Sequence, residues 1–182
     1  MVSQFVSTHE VPLLGSINFN FPEGTHPIGR LDKNSEGLLL LTTDKKVTRL
    51  LFLGEQPHTR TYLVQVKNKV SPETVIKLAA GIAISAPLGT KFIAKPYDVK
   101  LVDKPGYISA PEIPLHENML HAWLSITLTE GKFHQVRKMV AAVNHKCLRL
   151  IRISIEAIEL ENIRPGEVKE VSREYFYGKL KL

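Results

Sequence analysis

The sequence has little cysteine, few aromatic residues and no long apolar run. Cys147 is the only cysteine among 182 residues, which excludes a disulfide scaffold and is typical of a reducing compartment. No apolar stretch approaches the roughly 18 residues that a membrane-spanning helix needs. Residues 1–10 lack the basic start and the apolar core of a signal peptide. We therefore expect a cytoplasmic protein with no membrane partner.

The motifs of several large enzyme classes are also missing. No G-x-x-x-x-G-K-[ST] or G-x-G-x-x-G segment indicates a phosphate-binding loop, and no G-x-S-x-G segment indicates a serine hydrolase. The 7 histidines never fall at a metal-ligand spacing with a cysteine or an acidic residue. The sequence therefore predicts neither a metal site nor a cofactor.

Positive charge is in excess and is unevenly distributed. The chain has 24 Lys and Arg residues against 18 Asp and Glu, a net charge of +6, which favours a polyanionic partner. Six basic residues and no acidic residue lie between Gly131 and Ile155, and six acidic residues follow between Glu156 and Glu174. Because a solvated surface usually mixes its signs, this basic block favours an RNA-binding or phosphate-binding face over a merely solvated one.

Strand and helix patterns alternate without a regular βαβ rhythm. Residues 61–67 and 123–129 alternate apolar and polar side chains and are predicted strands, as are the apolar residues 148–155. Residues 71–81 are a predicted helix, because they begin Ser-Pro-Glu and end in glycine. A second helix is predicted after Gly131, with these residues on its buried face: Phe133, Val136, Met139, Val140 and Val143. We expect the α+β class with a mixed, mostly antiparallel central sheet flanked by helices.

The densest polar cluster is G-R-L-D-K-N-S-E-G, residues 29–37. Glycines at both ends suit a tight loop that brings side chains close to a ligand. Asp32 lies between Arg30 and Lys33, whose positive charges favour its ionised form. The same pattern also fits a polar turn in which Asp32 caps a helix. A pairing of Asp32 with Glu36 as glycosidase carboxylates is a weaker alternative, because the chain is basic and poor in aromatic residues.

Four segments, in order along the chain, resemble the motifs of one known family. Residues 28–44, I-G-R-L-D-K-N-S-E-G-L-L-L-L-T-T-D, are similar to the catalytic-aspartate motif of the pseudouridine synthases, in the RsuA branch that modifies ribosomal RNA. Residues 59–64 resemble the K-x-Y-x-V strand of that family, and residues 130–139 resemble its E-G-R-x-R-Q-V-R-R-M helix start. Residues 148–152 and 160–167 resemble its closing strand and its L-x-x-L-x-P-G-E tail. The similarity is greatest to short members that act on the large-subunit RNA.

This resemblance implies a fold, a reaction and a partner. It implies the pseudouridine synthase fold, with two α/β subdomains around a cleft in a single catalytic domain over residues 1–182. It implies a monomer that isomerises a uridine to pseudouridine in ribosomal RNA, with 23S RNA as the expected substrate. The reaction breaks the C1′–N1 bond and forms C1′–C5 without adding atoms, which agrees with the absence of cofactor motifs. It requires an ionised carboxylate beside the ribose.

The resemblance also assigns site residues. It implies that Asp32 is the carboxylate, either attacking C1′ or removing a proton from C2′, and that Tyr62 packs against the target base. A tyrosine on an alternating strand is also compatible with a plain core position. Arg137 opposes the dipole at the start of its helix, so we predict that it pairs with Asp32. We expect a flipped-out uridine, with these phosphate contacts: Arg30, Lys33, Lys132, His134, Gln135, Lys138, Arg149 and Arg152.

Two features depart from the family pattern. The family opens with an N-K-P strand before V-x-S-Q-F, whereas Met1 directly precedes Val2 here. We therefore expect that first strand to be missing, and no S4-like RNA-binding domain to precede the catalytic region. Glu156 occupies the position of a family glycine, so we expect a different backbone there.

The alternative function is a non-catalytic RNA-binding or ribosome-assembly protein that retained the fold.

Overall fold

The computed structural model describes residues 1–53, 56–86, 89–111, 114–116 and 118–182. A short 3-10 helix, Leu14–Ser16, precedes the first strand. The strands are β1 (His26–Pro27), β2 (Glu36–Gly37), β3 (Leu41–Thr42), β4 (Arg60–Lys67), β5 (Ile82–Ser85), β6 (Lys91–Ala94), β7 (Asp98–Val102), β8 (His121–Leu128), β9 (Cys147–Ile155) and β10 (Ile158–Glu159). The helices are α1 (Lys45–Leu53), α2 (Pro72–Ala80), α3 (Gln135–Ala142) and α4 (Arg173–Leu180).

A central sheet of six strands organises the described part of the chain. Its order is β10-β9-β4-β8-β7, with every pair antiparallel, and β2 joins β9 in the single parallel pairing described. Two small antiparallel pairs, β1 with β3 and β5 with β6, lie outside this sheet. The α+β class with a mostly antiparallel sheet is therefore confirmed.

Strand β4 is central because apolar side chains cover both of its faces. Val64 and Val66 are fully buried in a cluster that α3 completes with Met139 and Val140. On the opposite face, Leu63 packs with Trp123, Ile108 and Ile151 in a separate cluster. The strands predicted at residues 61–67 and 123–129 are confirmed as β4 and β8, and Leu124, Ile126 and Leu128 of β8 are also buried.

Helix α2 forms where its local signals predict it. The Ser71 side chain accepts a hydrogen bond from the Thr74 amide, Pro72 takes the first helical position, and Gly81 ends the helix with φ of +102°. A proline in the first turn needs no amide partner, and glycine accepts positive φ without a Cβ clash.

Helix α3 begins two residues later than its apolar pattern indicates. His134 adopts the left-handed conformation, with φ of +52°, and the helix starts at Gln135. Phe133 therefore lies ahead of the helix and is 67% exposed. The prediction that Phe133 shares the buried face of this helix is wrong, whereas Val136, Met139, Val140 and Val143 are buried as predicted.

A second apolar core holds the two ends of the polar segment 29–37. Ile28 precedes this segment and Leu38 and Leu40 follow it, and all three are buried with residues of α1 and α4. The Tyr177 hydroxyl of α4 donates to the Asp44 carboxylate, 2.7 Å away, which joins the two helices. No described helix is long and apolar enough to cross a membrane. Burial of Ile28, Leu38 and Leu40 fixes both ends of the segment between them, which includes β2.

Candidate active site

Two glycines shape the loop formed by residues 29–37, here called the aspartate loop. Gly29 and Gly37 have φ of +74° and +100°, a region that glycine enters without strain. A Cβ at Gly37 would lie 2.3 Å from the carbonyl oxygen of Arg152. Only glycine therefore allows β2 to approach β9 this closely.

Arg152 donates hydrogen bonds to the backbone near both ends of the aspartate loop. Its Nε donates to the Leu38 carbonyl at 2.8 Å, and its Nη1 donates to the Arg30 carbonyl at 3.3 Å. The residue is 4% exposed, and burial lowers the pKa of its guanidinium, an effect that the neighbouring Tyr62 hydroxyl opposes. Because one buried guanidinium binds the carbonyl oxygens of Arg30 and Leu38, near the two ends of the loop, the loop is fixed relative to β9.

Arg149 binds the Glu36 side chain of the same loop. Its Nε and Nη2 donate to the two carboxylate oxygens of Glu36 at 2.9 and 2.7 Å. Its Nη1 also donates to the Ser109 carbonyl at 3.1 Å. A guanidinium that engages both carboxylate oxygens fixes orientation as well as distance.

The middle of the loop has further contacts. Arg137 Nη2 donates to the Asn34 carbonyl at 2.5 Å. On the other side, the Ser3 hydroxyl accepts from the Leu31 amide at 3.0 Å and donates to the Leu31 carbonyl at 3.1 Å. Leu31 directly precedes Asp32, so the backbone is restrained on both sides of that carboxylate.

Asp32 is half-exposed at the tip of this restrained loop. Its side chain is 39% exposed, and the His134 Nε2 lies 3.7 Å from its Oδ2. The predicted ion pair between Asp32 and Arg137 is not formed. Arg137 instead donates to the Asn34 carbonyl and to Cys147 Sγ, and these two acceptors hold its guanidinium beside the loop.

Tyr62 joins the site through Arg152. The two residues are directly opposite in the pairing of β4 with β9, which places their side chains on the same face of the sheet. Tyr62 is half-buried and packs against the cluster that contains α3. Arg137 and Arg152 both donate to backbone carbonyls in or next to the loop that carries Asp32. Tyr62 lies opposite Arg152 on the neighbouring strand.

The eight predicted phosphate contacts divide into two groups. Arg30, Lys33 and Lys132 are exposed, and His134 and Lys138 are partly exposed, which leaves these five side chains accessible to RNA. Gln135, Arg149 and Arg152 are buried and bind other parts of the protein, so the structure does not place them on the accessible surface, and their phosphate contacts stay a prediction. Gln135 accepts from the Lys132 amide and donates to Glu130, while the two arginines bind the aspartate loop.

The sequence does not predict two of the contacts that restrain this loop. Glu36 has only the glycosidase interpretation there, and Ser3 has none. The position of Glu36 inside the glycine-framed segment was a usable signal for a structural role. Among the described residues, no group of three or more histidine, cysteine or acidic side chains could hold a metal ion.

Comparison with known proteins identifies the class to which this fold and loop belong. Residues 13–142 match the family described as RNA pseudouridylate synthase. Ribosomal large subunit pseudouridine synthase E of Xanthomonas axonopodis pv. citri (strain 306) is 32% identical over 168 residues, covering 91% of this chain and 85% of that protein. The chain therefore belongs to the RNA pseudouridylate synthase family, whose members are isomerases.

Two further proteins show how far the similarity extends. The protein of the same name in Vibrio parahaemolyticus serotype O3:K6 (strain RIMD 2210633) is 33% identical over 144 residues, covering 79% of this chain and 58% of that protein. A solved structure described as a pseudouridylate synthase has a TM-score of 0.71 at 27% identity, covering 93% of this chain and 65% of that one. The predicted pseudouridine synthase fold is thus confirmed.

Proposed function

We propose that this chain isomerises a uridine to pseudouridine in ribosomal RNA, with large-subunit RNA as the substrate. The observation that carries the proposal is the aspartate loop. It presents the partly exposed Asp32 carboxylate beside exposed Arg30 and Lys33, whereas its other carboxylate, Glu36, is bound by Arg149. Family membership and the names of the similar proteins support the same reaction. We further propose that the protein acts as a monomer.

The reaction requires an ionised carboxylate held in a fixed position beside the ribose. The C1′–N1 bond breaks, the uracil turns, and C5 bonds to C1′. C5 then loses a proton and N1 gains one, so no atom enters or leaves overall. Asp32 either attacks C1′ or removes a proton from C2′, and both routes need its ionised form beside the ribose. The contacts that restrain the aspartate loop provide that placement before substrate binds.

The family resemblance and the contacts of the other site residues support their roles. Tyr62, which lies opposite Arg152 in the pairing of β4 with β9, packs against the target base. Arg137 is a positioning residue, since it holds the carbonyl of Asn34 two residues beyond Asp32. The accessible basic side chains contact phosphates and make binding strongly salt-dependent: Arg30, Lys33, Lys132, His134 and Lys138. Because a stacked uridine cannot expose C1′ to Asp32, the nucleotide is flipped out of the RNA.

The test uses unmodified ribosomal RNA from cells that lack the gene. Purified protein is added, and pseudouridine is mapped by carbodiimide labelling and primer extension. We expect one new stop, in large-subunit RNA, and no stop with Asp32→Asn. Asp98→Asn is the matched control, because the Asp98 side chain is 40% exposed, close to the 39% of Asp32, and pairs only with Lys100 among the described ion pairs. Salt-sensitive binding without any new stop would instead indicate a non-catalytic RNA-binding protein.

A further inference from the structure

We propose that Phe133 and His134 form a stacking platform for an RNA base adjacent to the target uridine. This inference rests on the proposed function, because it names a substrate contact of the same site. Phe133 is 67% exposed, although it is a large apolar side chain. It stacks on the His134 ring with a centroid distance of 3.9 Å and an interplanar angle of 17°. The stack leaves much of the phenyl ring accessible to a further planar group.

The backbone at His134 directs this platform toward the reactive carboxylate. His134 adopts φ of +52° and ψ of +31° directly before α3, and its side chain makes no capping hydrogen bond to the helix. Its Nε2 instead lies 3.7 Å from Asp32 Oδ2. A left-handed residue of this kind in a functional region is retained because the surroundings hold it there. The stacked rings of Phe133 and His134 therefore lie beside the Asp32 carboxylate, which must contact the ribose.

The charges around the platform favour a nucleic-acid base over an apolar peptide. Lys138 Nζ lies 5.5 Å from the centroid of the Phe133 ring. The exposed Lys132 directly precedes Phe133 in the chain, and its Nζ lies 5.5 Å from the centroid of the Phe92 ring. An aromatic ring beside a cation is suited to single-stranded RNA, whose base stacks on the ring while its phosphates approach the ammonium group.

The position of the platform also indicates which base it receives. Asp32 must face the ribose of the flipped uridine, and Tyr62 receives that nucleotide's own base in the proposed mechanism. Phe133 and His134 extend from Asp32 along a different element, the turn before α3. The base that reaches them belongs to a neighbouring nucleotide. Such a contact would hold the strand while the target uridine leaves the stack.

The first experiment measures binding and does not depend on catalysis. A fluorescein-labelled nine-nucleotide oligouridylate is titrated at constant salt, and its Kd is measured by anisotropy. We expect Phe133→Leu to raise Kd about tenfold, in the range that loss of one stacked base causes, and Phe133→Trp to keep Kd near the wild-type value. Tyr97→Leu is the control, since Tyr97 is another exposed aromatic residue, at 75%, and should leave Kd unchanged.

The second experiment asks whether the contact is to a neighbouring base. A stem–loop that contains the mapped uridine is made with an abasic nucleotide on its 5′ or its 3′ side. One abasic change should weaken wild-type binding about tenfold and should not weaken the binding of Phe133→Leu further. An unchanged Kd for Phe133→Leu on oligouridylate, or additive losses with both abasic RNAs, would overturn the platform. Failure to form pseudouridine would contradict the proposed function and leave the oligouridylate result intact.

Discussion

Replacement of Arg149 by methionine should reduce catalysis far more than it reduces stability. The Arg149 side chain is 7% exposed and the Glu36 side chain is 44% exposed, and their N–O contacts are 2.9 and 2.7 Å long. A hydrogen bond to a charged group contributes about 1.5–3 kcal/mol. Because water screens the half-exposed carboxylate, we expect the pair to contribute about 1–2 kcal/mol to the free energy of unfolding.

The catalytic effect has a different origin. Without the guanidinium, Glu36 is free to turn into solvent, and the aspartate loop loses one of its contacts to β9. A displacement of about 1 Å at a reacting group can reduce the rate about 100-fold. We therefore expect kcat to fall about 10-fold to 100-fold for Arg149→Met, with little change in the Kd for RNA. Arg149→Lys should recover only part of kcat, since an ammonium group cannot supply two parallel N–H donors.

The assay combines single-turnover pseudouridine formation with urea unfolding for Arg149→Met, Glu36→Gln and the double variant. If the pair acts by positioning Asp32, the double variant should be no slower than the slower single variant. A reduced free energy of unfolding with wild-type kcat would show that the pair is purely structural. A raised Kd with unchanged kcat would show that Arg149 contacts RNA after all, and would refute the positioning argument.

Two further predictions concern stability. Gly37→Ala should lower the free energy of unfolding by about 2–4 kcal/mol, because φ is +100° and the new Cβ would lie 2.3 Å from the Arg152 carbonyl. In the same urea titration, Gly131→Ala is the control, since nothing lies within 4 Å of its Cβ position. Burial raises the pKa of Glu156, but hydrogen bonds, above all from Lys181, outweigh it and leave the pKa below its usual value. The stability that Glu156 contributes should therefore be present above about pH 4.3 and be lost as pH falls through its lower folded-state pKa, and Glu156→Gln should weaken this pH dependence of unfolding.

Local patterns predict the elements that surround the site. Alternation identifies β4 and β8, and the Ser71 cap, Pro72 and Gly81 identify α2. These signals involve neighbouring residues, so they can be recognised without knowledge of tertiary contacts. The glycines at 29 and 37 were equally informative, because positive φ is a local property of the backbone.

The contacts that hold the aspartate loop were not predictable in the same way. Charge alone assigned Arg149 and Arg152 to RNA phosphates, since a basic residue on a strand carries no local sign of its partner. Their partners lie more than 100 residues earlier in the chain, at Glu36, Leu38 and Arg30. The late start of α3 was hidden for a similar reason, because the left-handed conformation of His134 interrupts an apolar pattern that otherwise continues through Phe133.

Glu156 combines a backbone conformation that glycine favours with several side-chain contacts. It has φ of +48°, in the left-handed region, and the expectation that its backbone differs from that of the family stays a prediction. The strain of this conformation in a non-glycine residue is offset by the side chain, which is 3% exposed, pairs with Lys181 and accepts from Thr59. These contacts fix the end of β9 to β4 and to the end of α4. Since β9 also carries Arg149 and Arg152, anchoring its end holds in place the strand that positions the aspartate loop.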